Sequence, residues 1–421
     1  MCGIGAVWGK GAGAAALRMA NWLVHRGHEG VGYAYLEGGA VKLGRPPEDA
    51  PAAVVHTRYS TSGPYGVSLQ PVYARYRDLE LAVAFNGTVV NFRQLDSSAS
   101  FDGEALARSL AREIWERGVE EGVQEVYRKI VGAASTVALT PWGIIAVRDP
   151  RGVRPLAVSY DQAGARVASE TVALGDGIEL APGVALLYGS RISTWKVDPK
   201  PARLCALEYV YFAHPASKLE GRLVADVRRA LGRALAEGEE VKADAVAYVP
   251  ETARHAAAGF AEVLGLEVVD AVVKNRFSGR LFIKPPGERK AEEVFQVVKE
   301  YVAGRRIFLV DDSLIRGTNI RAIVWMLKRA GAAEVHVRIA SPPIRWPCFF
   351  GMDFQRRSEL VAWGREVEEV RQIVGADTLR YISMEKFREV LGDSVCYGCF
   401  TGVYPQEVDV EWAERELARF K

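Results

Sequence analysis

Two stretches of the sequence hold residues whose types and order could do covalent chemistry. The chain opens Met1-Cys2-Gly3-Ile4-Gly5, with a cysteine directly after the initiator methionine. Removal of that methionine leaves a thiol and a free α-amino group on one residue. An amine with an ordinary pKa of about 7.7 to 8.0 can take the thiol proton near neutrality, directly or through water, so such a residue can be nucleophile and base together. Far along the chain, the apolar run Ile307-Phe308-Leu309-Val310 stops at Asp311-Asp312 and passes into Ser313-Leu314-Ile315-Arg316-Gly317-Thr318. The run suits a buried parallel strand, and Ile320 to Ala330 has helical spacing. Strand, loop and helix in that order converge backbone N–H groups on one point, where an anion fits, while two carboxylates at the strand end can hold sugar hydroxyls or a metal. A 5'-phosphorylated ribose satisfies both halves, whereas an Asp-Asp-Ser alone would equally cap a turn.

Other candidate groups stand where elements yield to loops. His25-Arg26-Gly27 follows an amphipathic helix, His56-Thr57-Arg58-Tyr59-Ser60-Thr61 ends an apolar strand, and Ala84-Phe85-Asn86-Gly87 ends another. Amide hydrolysis at a thiolate needs donors for the developing oxyanion, and Asn86 with the backbone N–H of Gly87 supplies two. A free amino-acid substrate needs a cation for its carboxylate and an anion for its ammonium, roles open to Arg58 and Asp102. Taken singly, each of these is equally a turn residue or a surface ion pair.

The elements that must position these groups form two patterns. Up to about residue 200 the chain has short strands with Gly-rich and polar connections, among them the strand-turn-strand of Ile144 to Leu156. After it, Glu208 to Phe212 is a branched and aromatic run read as a strand, followed by a helix from about Gly221 to Ala236. Strands near 244 to 249, 267 to 273, 306 to 310 and 334 to 340 then alternate with helices, a parallel α/β pattern. Val249-Pro250-Glu251-Thr252-Ala253 lies at a strand end, where a doubly wound sheet places ligand loops, and Lys274-Asn275-Arg276-Phe277-Ser278-Gly279-Arg280 is a short cationic segment.

With 421 residues, 49% hydrophobic and 25% charged, the chain suits two or three well-filled domains. A net charge of +2 without a basic run gives no support to nucleic-acid or membrane-surface binding. Apolar stretches fall short of a membrane span and no signal-peptide pattern opens the chain, so a cytoplasmic protein is expected. The five cysteines, Cys2, Cys205, Cys348, Cys396 and Cys399, are odd in number and favour catalysis or metal binding over disulfides. Cys396-Tyr397-Gly398-Cys399 alone leaves redox, zinc and cluster chemistry open.

The string Val310 to Thr318 resembles the phosphoribosylpyrophosphate (PRPP) loop of type I phosphoribosyltransferases, and within them that of the glutamine PRPP amidotransferases. The resemblance runs from Met1 to about Pro405 and includes Arg148-Asp149-Pro150-Arg151-Gly152-Val153-Arg154-Pro155-Leu156, Ala168-Ser169-Glu170 and Ala181-Pro182-Gly183. It implies an N-terminal-nucleophile αββα glutaminase domain over residues 1–200, a phosphoribosyltransferase domain with a doubly wound parallel sheet over 201–395, and a tail over 396–421. It puts the nucleophile on Cys2, the oxyanion pair on Asn86 and Gly87, and glutamine binding on Arg58 and Asp102. PRPP falls to Asp311, Asp312, Ser313, Arg316, Gly317 and Thr318, with Lys274, Arg276 and Arg280 on a lid. Mg²⁺ falls to Thr252, Asp311 and Asp312, and a 4Fe–4S cluster to Cys205, Cys348, Cys396 and Cys399, with zinc as the competing metal. Glutamine and PRPP are the implied substrates, purine nucleotides the implied feedback ligands, and a homo-oligomer, by resemblance a tetramer, the implied assembly. Two other readings exist. A PRPP-sensing regulator would need no Cys2 and would bring a DNA-binding segment, and another glutamine amidotransferase, such as a hexosamine-forming one, shares only the first half.

Overall fold

The computed structural model describes residues 1–59, 70–162, 164–189, 192–275 and 291–418. Two antiparallel sheets fill the first half. One has seven strands in the spatial order Ile178–Glu179, Ala157–Asp161, Gly164–Ala168, Gly3–Gly9, Ala52–Arg58, Gly30–Glu37 and Ala40–Leu43. The other has six, in the order Ile192–Lys196, Val184–Gly189, Gly143–Val147, Gly132–Thr140, Leu79–Val89 and Val72–Tyr76. Alternation of side chains sends each strand's apolar residues two ways. Ile4, Ala6, Val54, Ala82, Val137 and Ile144 pack between the sheets. Val7, Ala53 and Val55 face the helix Ala12–Leu23 through Met19 and Leu23. On the far side Leu81, Val83 and Phe85 meet Leu106, Leu110 and Val126 of the helices Asp102–Arg117 and Val119–Lys129. The result is helix, sheet, sheet, helix, the arrangement that the family resemblance implies.

The second half is built on a four-stranded parallel sheet in the order Ala245–Tyr248, Arg306–Asp311, Glu334–Ile339 and Thr378–Tyr381. The run that ends at the carboxylate pair is apolar throughout because both its faces are covered. Ile307 and Leu309 pack with Ile320 and Ile323 of the helix Thr318–Arg329. Phe308 and Val310 pack with Leu231 and Phe260 of the helices Val224–Ala236 and Arg254–Leu264.

Two expectations are corrected. The strand expected over 267 to 273 is only a single bridge from Val268 to Val246, and Val272–Lys274 instead pairs antiparallel with Phe295–Val297 outside the main sheet. Glu208–Phe212 is a π-helical turn rather than a strand. Its branched and aromatic residues have strand propensity, but the buried Arg228 binds the carbonyls of Tyr209 (2.7 Å) and Ala213 (2.8 Å), and Arg26 draws Glu208 inward, which fixes a coil of backbone. The strand Thr378–Tyr381 was missed.

The apolar core does not stop between the halves. Met1, Val90, Ala133 and Val153 pack in the same cluster as Leu204, Phe349 and Phe350. The C-terminal stretch also spans them, since Arg151 Nε donates to Pro405 O (2.6 Å), Gly132 N to Gln406 Oε1 (3.1 Å) and Arg357 Nη2 to Glu414 Oε2 (2.7 Å).

Candidate active sites

Antiparallel pairing sets Gly3 opposite Thr57 and so brings Cys2 to the end of the strand that carries Arg58. The Cys2 thiol donates to Tyr59 O at 3.4 Å, and Arg26 Nε donates to Cys2 O at 3.2 Å. Arg58 is buried, with Nε 4.0 Å from Glu29 Oε2. His56 is fully buried, and burial, Arg58 and the amino terminus push its pKa down to about 3, so it is neutral near pH 7. Met1 is only 1% exposed, its sulfur against the Arg154 guanidinium, and burial lowers its amine to about 5.

Asn86 and Gly87 lie near the end of Leu79–Val89. Asn86 is fully buried, and among the described residues neither its Nδ2 nor its Oδ1 has a hydrogen-bond partner. An unpaired buried amide costs about 1 to 3 kcal/mol, so the group is kept at a cost to stability and is free to bond a ligand. Gly87 has φ 147°, and a Cβ there would stand 1.9 Å from Ala133 O, so no other residue fits. Asp102 starts the helix Asp102–Arg117, and its carboxylate accepts from Val89 N (3.2 Å) and Gly103 N (2.9 Å), which holds it beside the same strand end.

Behind the amino terminus runs a buried ladder of charge. Arg26 bonds Glu170 and, at 2.8 Å and 3.0 Å, both carboxylate oxygens of Glu208, while Arg154 Nη1 lies 3.3 Å from Glu208 Oε1. Glu170 further accepts from His214 N (2.7 Å) and Ser217 Oγ (2.6 Å) and meets His25 at 2.8 Å. Burial works against its charge, but Arg26 and His25 outweigh it and hold its pKa far below the usual 4.5. Glu170→Gln is expected to cost on the order of 3 kcal/mol in urea unfolding near neutral pH, because Arg26 loses a buried partner. A depressed pKa gives stability that is full above the unfolded value and lost as pH falls through the folded one. The gap between wild type and variant should therefore narrow below about pH 4.5.

In the second half, Asp311 ends its strand and Asp312 opens the loop. Asp312 accepts from Thr252 Oγ1 and from Ser313 Oγ (2.7 Å), and Asp312 N donates to Asp311 Oδ1 (2.8 Å). Burial and the charge of Asp312 push Asp311 well above the usual carboxylate range. Burial raises Asp312 too, against the pull of Thr252, Ser313 and Arg228. Two buried carboxylates that repel one another are a place for a cation or for hydroxyl donors. Gly317 turns with φ 80° into the helix that starts at Thr318. Arg316 bonds Glu359 (2.6 Å) and lies 3.5 Å from Asp353 Oδ2. Lys274 ends Val272–Lys274, whereas Arg276 and Arg280 lie outside the described residues.

Cys205 and Cys396 face one another in a two-residue parallel bridge, and Cys399 O accepts from Arg345 N (3.0 Å) and Trp346 N (2.9 Å), just before Cys348. Burial raises all four thiols, Cys205 to about 11, and their charges act on one another, with Arg154 opposing at Cys205, Cys348 and Cys396. Among the described residues, however, no three His, Cys, Asp or Glu side chains lie close enough to share a single ion.

Residues 1–202 match the family model described as a glutamine amidotransferase domain. A protein of Methanothermobacter thermautotrophicus named amidophosphoribosyltransferase is 34% identical over 94% of this chain and 92% of its own length. One from Bacillus subtilis, of the same name, is 34% identical over 97% of this chain and 94% of its own. The chain belongs to the amidophosphoribosyltransferase family. Among solved structures, the Bacillus subtilis glutamine PRPP amidotransferase complexed with ADP and GMP superposes with a TM-score of 0.87 at 33% identity, over 97% of this chain and 98% of that one. A structure described as the allosteric regulatory enzyme of purine biosynthesis gives 0.88 at 33%, over 99% of both chains.

Within this chain, Cys2 and Arg58 come together at one end of two adjacent central strands, and Asn86, Gly87 and Asp102 at the end of another strand. Thr252 meets Asp312 across the parallel sheet. The ladder of Arg26, Glu170, Glu208 and Arg154 was not legible in the sequence, although Arg26, Glu170 and Arg154 sit inside quoted motifs and Glu208 opens the run read as a strand. Asp353 was also missed, and nothing in its local sequence marks it. Among the described residues, no helix is long and apolar enough to cross a membrane.

Proposed function

We propose that this chain hydrolyses glutamine at Cys2 and passes the ammonia to C1 of PRPP, giving 5-phosphoribosylamine, pyrophosphate and glutamate, the entry to purine synthesis. The observation that carries the reading is Asn86: a fully buried amide with no hydrogen-bond partner among the described residues, near a strand end beside Gly87, in a chain that also carries the Asp311-Asp312 pair. Residues 1–200 form the glutaminase unit, 201–395 the phosphoribosyltransferase unit and 396–421 a tail that ties them.

With Met1 removed, the α-amine passes to Cys2 and takes its thiol proton. The thiolate attacks the carboxamide of a glutamine held by Arg58 and Asp102. Asn86 Nδ2 and Gly87 N–H stabilise the oxyanion, ammonia leaves, and water hydrolyses the thioester. At the second site Asp311 and Asp312 hold the ribose hydroxyls and Ser313 to Thr318 the 5'-phosphate, with Arg316 exchanging its carboxylate partners for phosphate. Lys274, Arg276 and Arg280 supply cations for the pyrophosphate, the last two from outside the described residues. Mg²⁺ at Thr252, Asp311 and Asp312 fits a site with few protein ligands, because Mg²⁺ takes one or two carboxylates and completes its shell with phosphate oxygens and water. Displacement at C1 builds positive charge on the ribose, so positioning and electrostatics carry most of the rate. Purine nucleotides act as feedback ligands, the enzyme works in the cytoplasm as a homo-oligomer, and a tetramer is the assembly to look for.

Three buried thiols, Cys205, Cys348 and Cys399, and the half-buried Cys396, with Arg154 acting on three of the four, are a soft donor set that would suit a 4Fe–4S cluster. Bound there, the cluster clamps the tail against the junction of the two halves. Protein prepared without air is expected to be brown, with about four iron and four sulfide per chain. Cys348→Ser or Cys399→Ser should lose the colour and lower the melting temperature. A colourless protein with one zinc per chain would keep the clamp and reject the cluster.

The assay that tests the whole reading is pyrophosphate release from PRPP with Mg²⁺, run with glutamine, with ammonium and with neither. Release with both nitrogen sources supports it, and no release under any condition ends it.

A further inference from the structure

The start of the strand Gly132–Thr140, the turn at residues 149 to 152 and the C-terminal stretch at Gln406 meet around a cavity of about 240 Å³. None of the residues lining it has a part in either proposed reaction. Asp149 lines it, but both its oxygens are occupied, Oδ1 by the N–H groups of Arg151 (3.2 Å) and Val153 (3.0 Å), Oδ2 by Arg154 N (3.0 Å) and Ser135 Oγ (3.3 Å). Three cations share the lining, Arg128, Arg151 and Lys200. Arg128 and Lys200 reach toward solvent and each has a carboxylate, Glu125 at 2.6 Å and Asp198 at 2.8 Å. Arg151 is half-buried and, among the described residues, pairs with no carboxylate; its Nε donates to Pro405 O at 2.6 Å. Burial lowers its pKa against the weaker pull of Asp149 and Asp198, so its charge is held at a cost.

We propose that this cavity binds a small phosphate-class oxyanion, inorganic phosphate or pyrophosphate, on the Arg151 guanidinium with Lys200 and Arg128 beside it, and that the bound anion fastens the C-terminal stretch to the first half of the chain. A guanidinium presents several N–H donors in a planar fork, and one bond from Nε to a carbonyl leaves most of them, and the whole charge, without a counterpart. An oxyanion supplies both through paired, charge-assisted bonds. Exposed ion pairs like those of Arg128 and Lys200 hold weakly, so a phosphate dianion competes for these cations too, where a single carboxylate would be met by Arg151 alone. Size narrows the choice further. Pockets for drug-sized molecules begin at about 300 Å³, so this one has room for one or two phosphate groups but not for a nucleotide. The link to the tail is direct, because Pro405 docks on Arg151 and Gln406 on Gly132 N (3.1 Å). An anion that binds only when that stretch is in place stabilises the docked arrangement by mass action.

The test titrates the full chain calorimetrically with inorganic phosphate and with pyrophosphate, at constant ionic strength set by chloride. The loop from Ser313 to Thr318 also offers an anion site, so wild type is compared with Arg151→Met, Lys200→Met and Thr318→Val. Arg151→Met is expected to weaken the cavity site by about 10- to 100-fold. Lys200→Met should weaken it by about threefold, and Thr318→Val should leave it unchanged while removing the other. Phosphate should also slow amide hydrogen exchange over residues 403 to 407 in wild type and in Thr318→Val, but not in Arg151→Met. If Arg151→Met is not recovered folded, Lys200→Met decides, since its side chain is exposed and carries no part of the fold. Whichever anion binds the cavity more tightly names the source, and either supports the site. A single phosphate per chain that Thr318→Val abolishes would overturn the proposal, as would unchanged affinity in Lys200→Met and Arg151→Met, or an equal slowing of exchange by chloride.

Discussion

Cys2→Ala is expected to lower glutamine-dependent turnover by about 10⁴-fold or more, leaving ammonium-dependent turnover within about twofold of wild type. The asymmetry follows from the fold. Cys2 sits at the start of a central strand of an antiparallel sheet in the first half, and the carboxylate pair sits at the end of a parallel strand in the second. Free ammonia bypasses the first site and reaches PRPP at the second. The alanine leaves the backbone pairing of Gly3 with Thr57 intact and removes a thiol whose hydrogen bond among the described residues is to Tyr59 O, so the fold should not notice it. Equal loss of both turnovers would make Cys2 structural. Intact mass of the active enzyme should show the chain starting at Cys2. With Met1 retained, the only free amine is one residue away, buried, and lowered to about 5.

How much of this was legible depended on how far apart in sequence the partners are. Residues 307 to 318 could be read directly, because burial on both faces leaves an unbroken apolar run and the carboxylates end it. The two sheets of the first half came from the family resemblance, with which the short strands and their Gly-rich connections agree. Asp102 was placed near Asn86 only through resemblance, and the structure adds the cause: its carboxylate accepts the N–H of Val89. The charge ladder escaped because Arg26 and Glu208 are 182 residues apart and no periodicity links them. Glu208 to Phe212 misled because strand propensity is weak against buried arginines that bind backbone carbonyls.

Asp311→Asn combined with Asp312→Asn is expected to remove PRPP turnover with either nitrogen source, by at least about 10³-fold, while a low glutaminase activity survives. The substitution keeps size and most hydrogen-bonding capacity, since an amide oxygen can still accept from Thr252 and Ser313. What it removes is charge. In the folded chain both carboxylates are buried and both are pushed toward the neutral form, Asp311 the more strongly. Such a pair is poorly stabilised alone, and a cation beside it, with the pyrophosphate it carries, restores the ionised state. The wild-type enzyme should therefore bind Mg²⁺ and PRPP together more tightly as pH rises through the raised carboxylate values, and the double variant should show no such rise. Removal of the like-charge repulsion also predicts that the double variant melts no earlier than wild type, and later in the absence of Mg²⁺. Titration calorimetry with PRPP and Mg²⁺, and melting with and without the ion, would check both. Normal PRPP turnover in the double variant would reject the strand-end carboxylates as the ribose and metal site, and with them the assignment of the loop that follows.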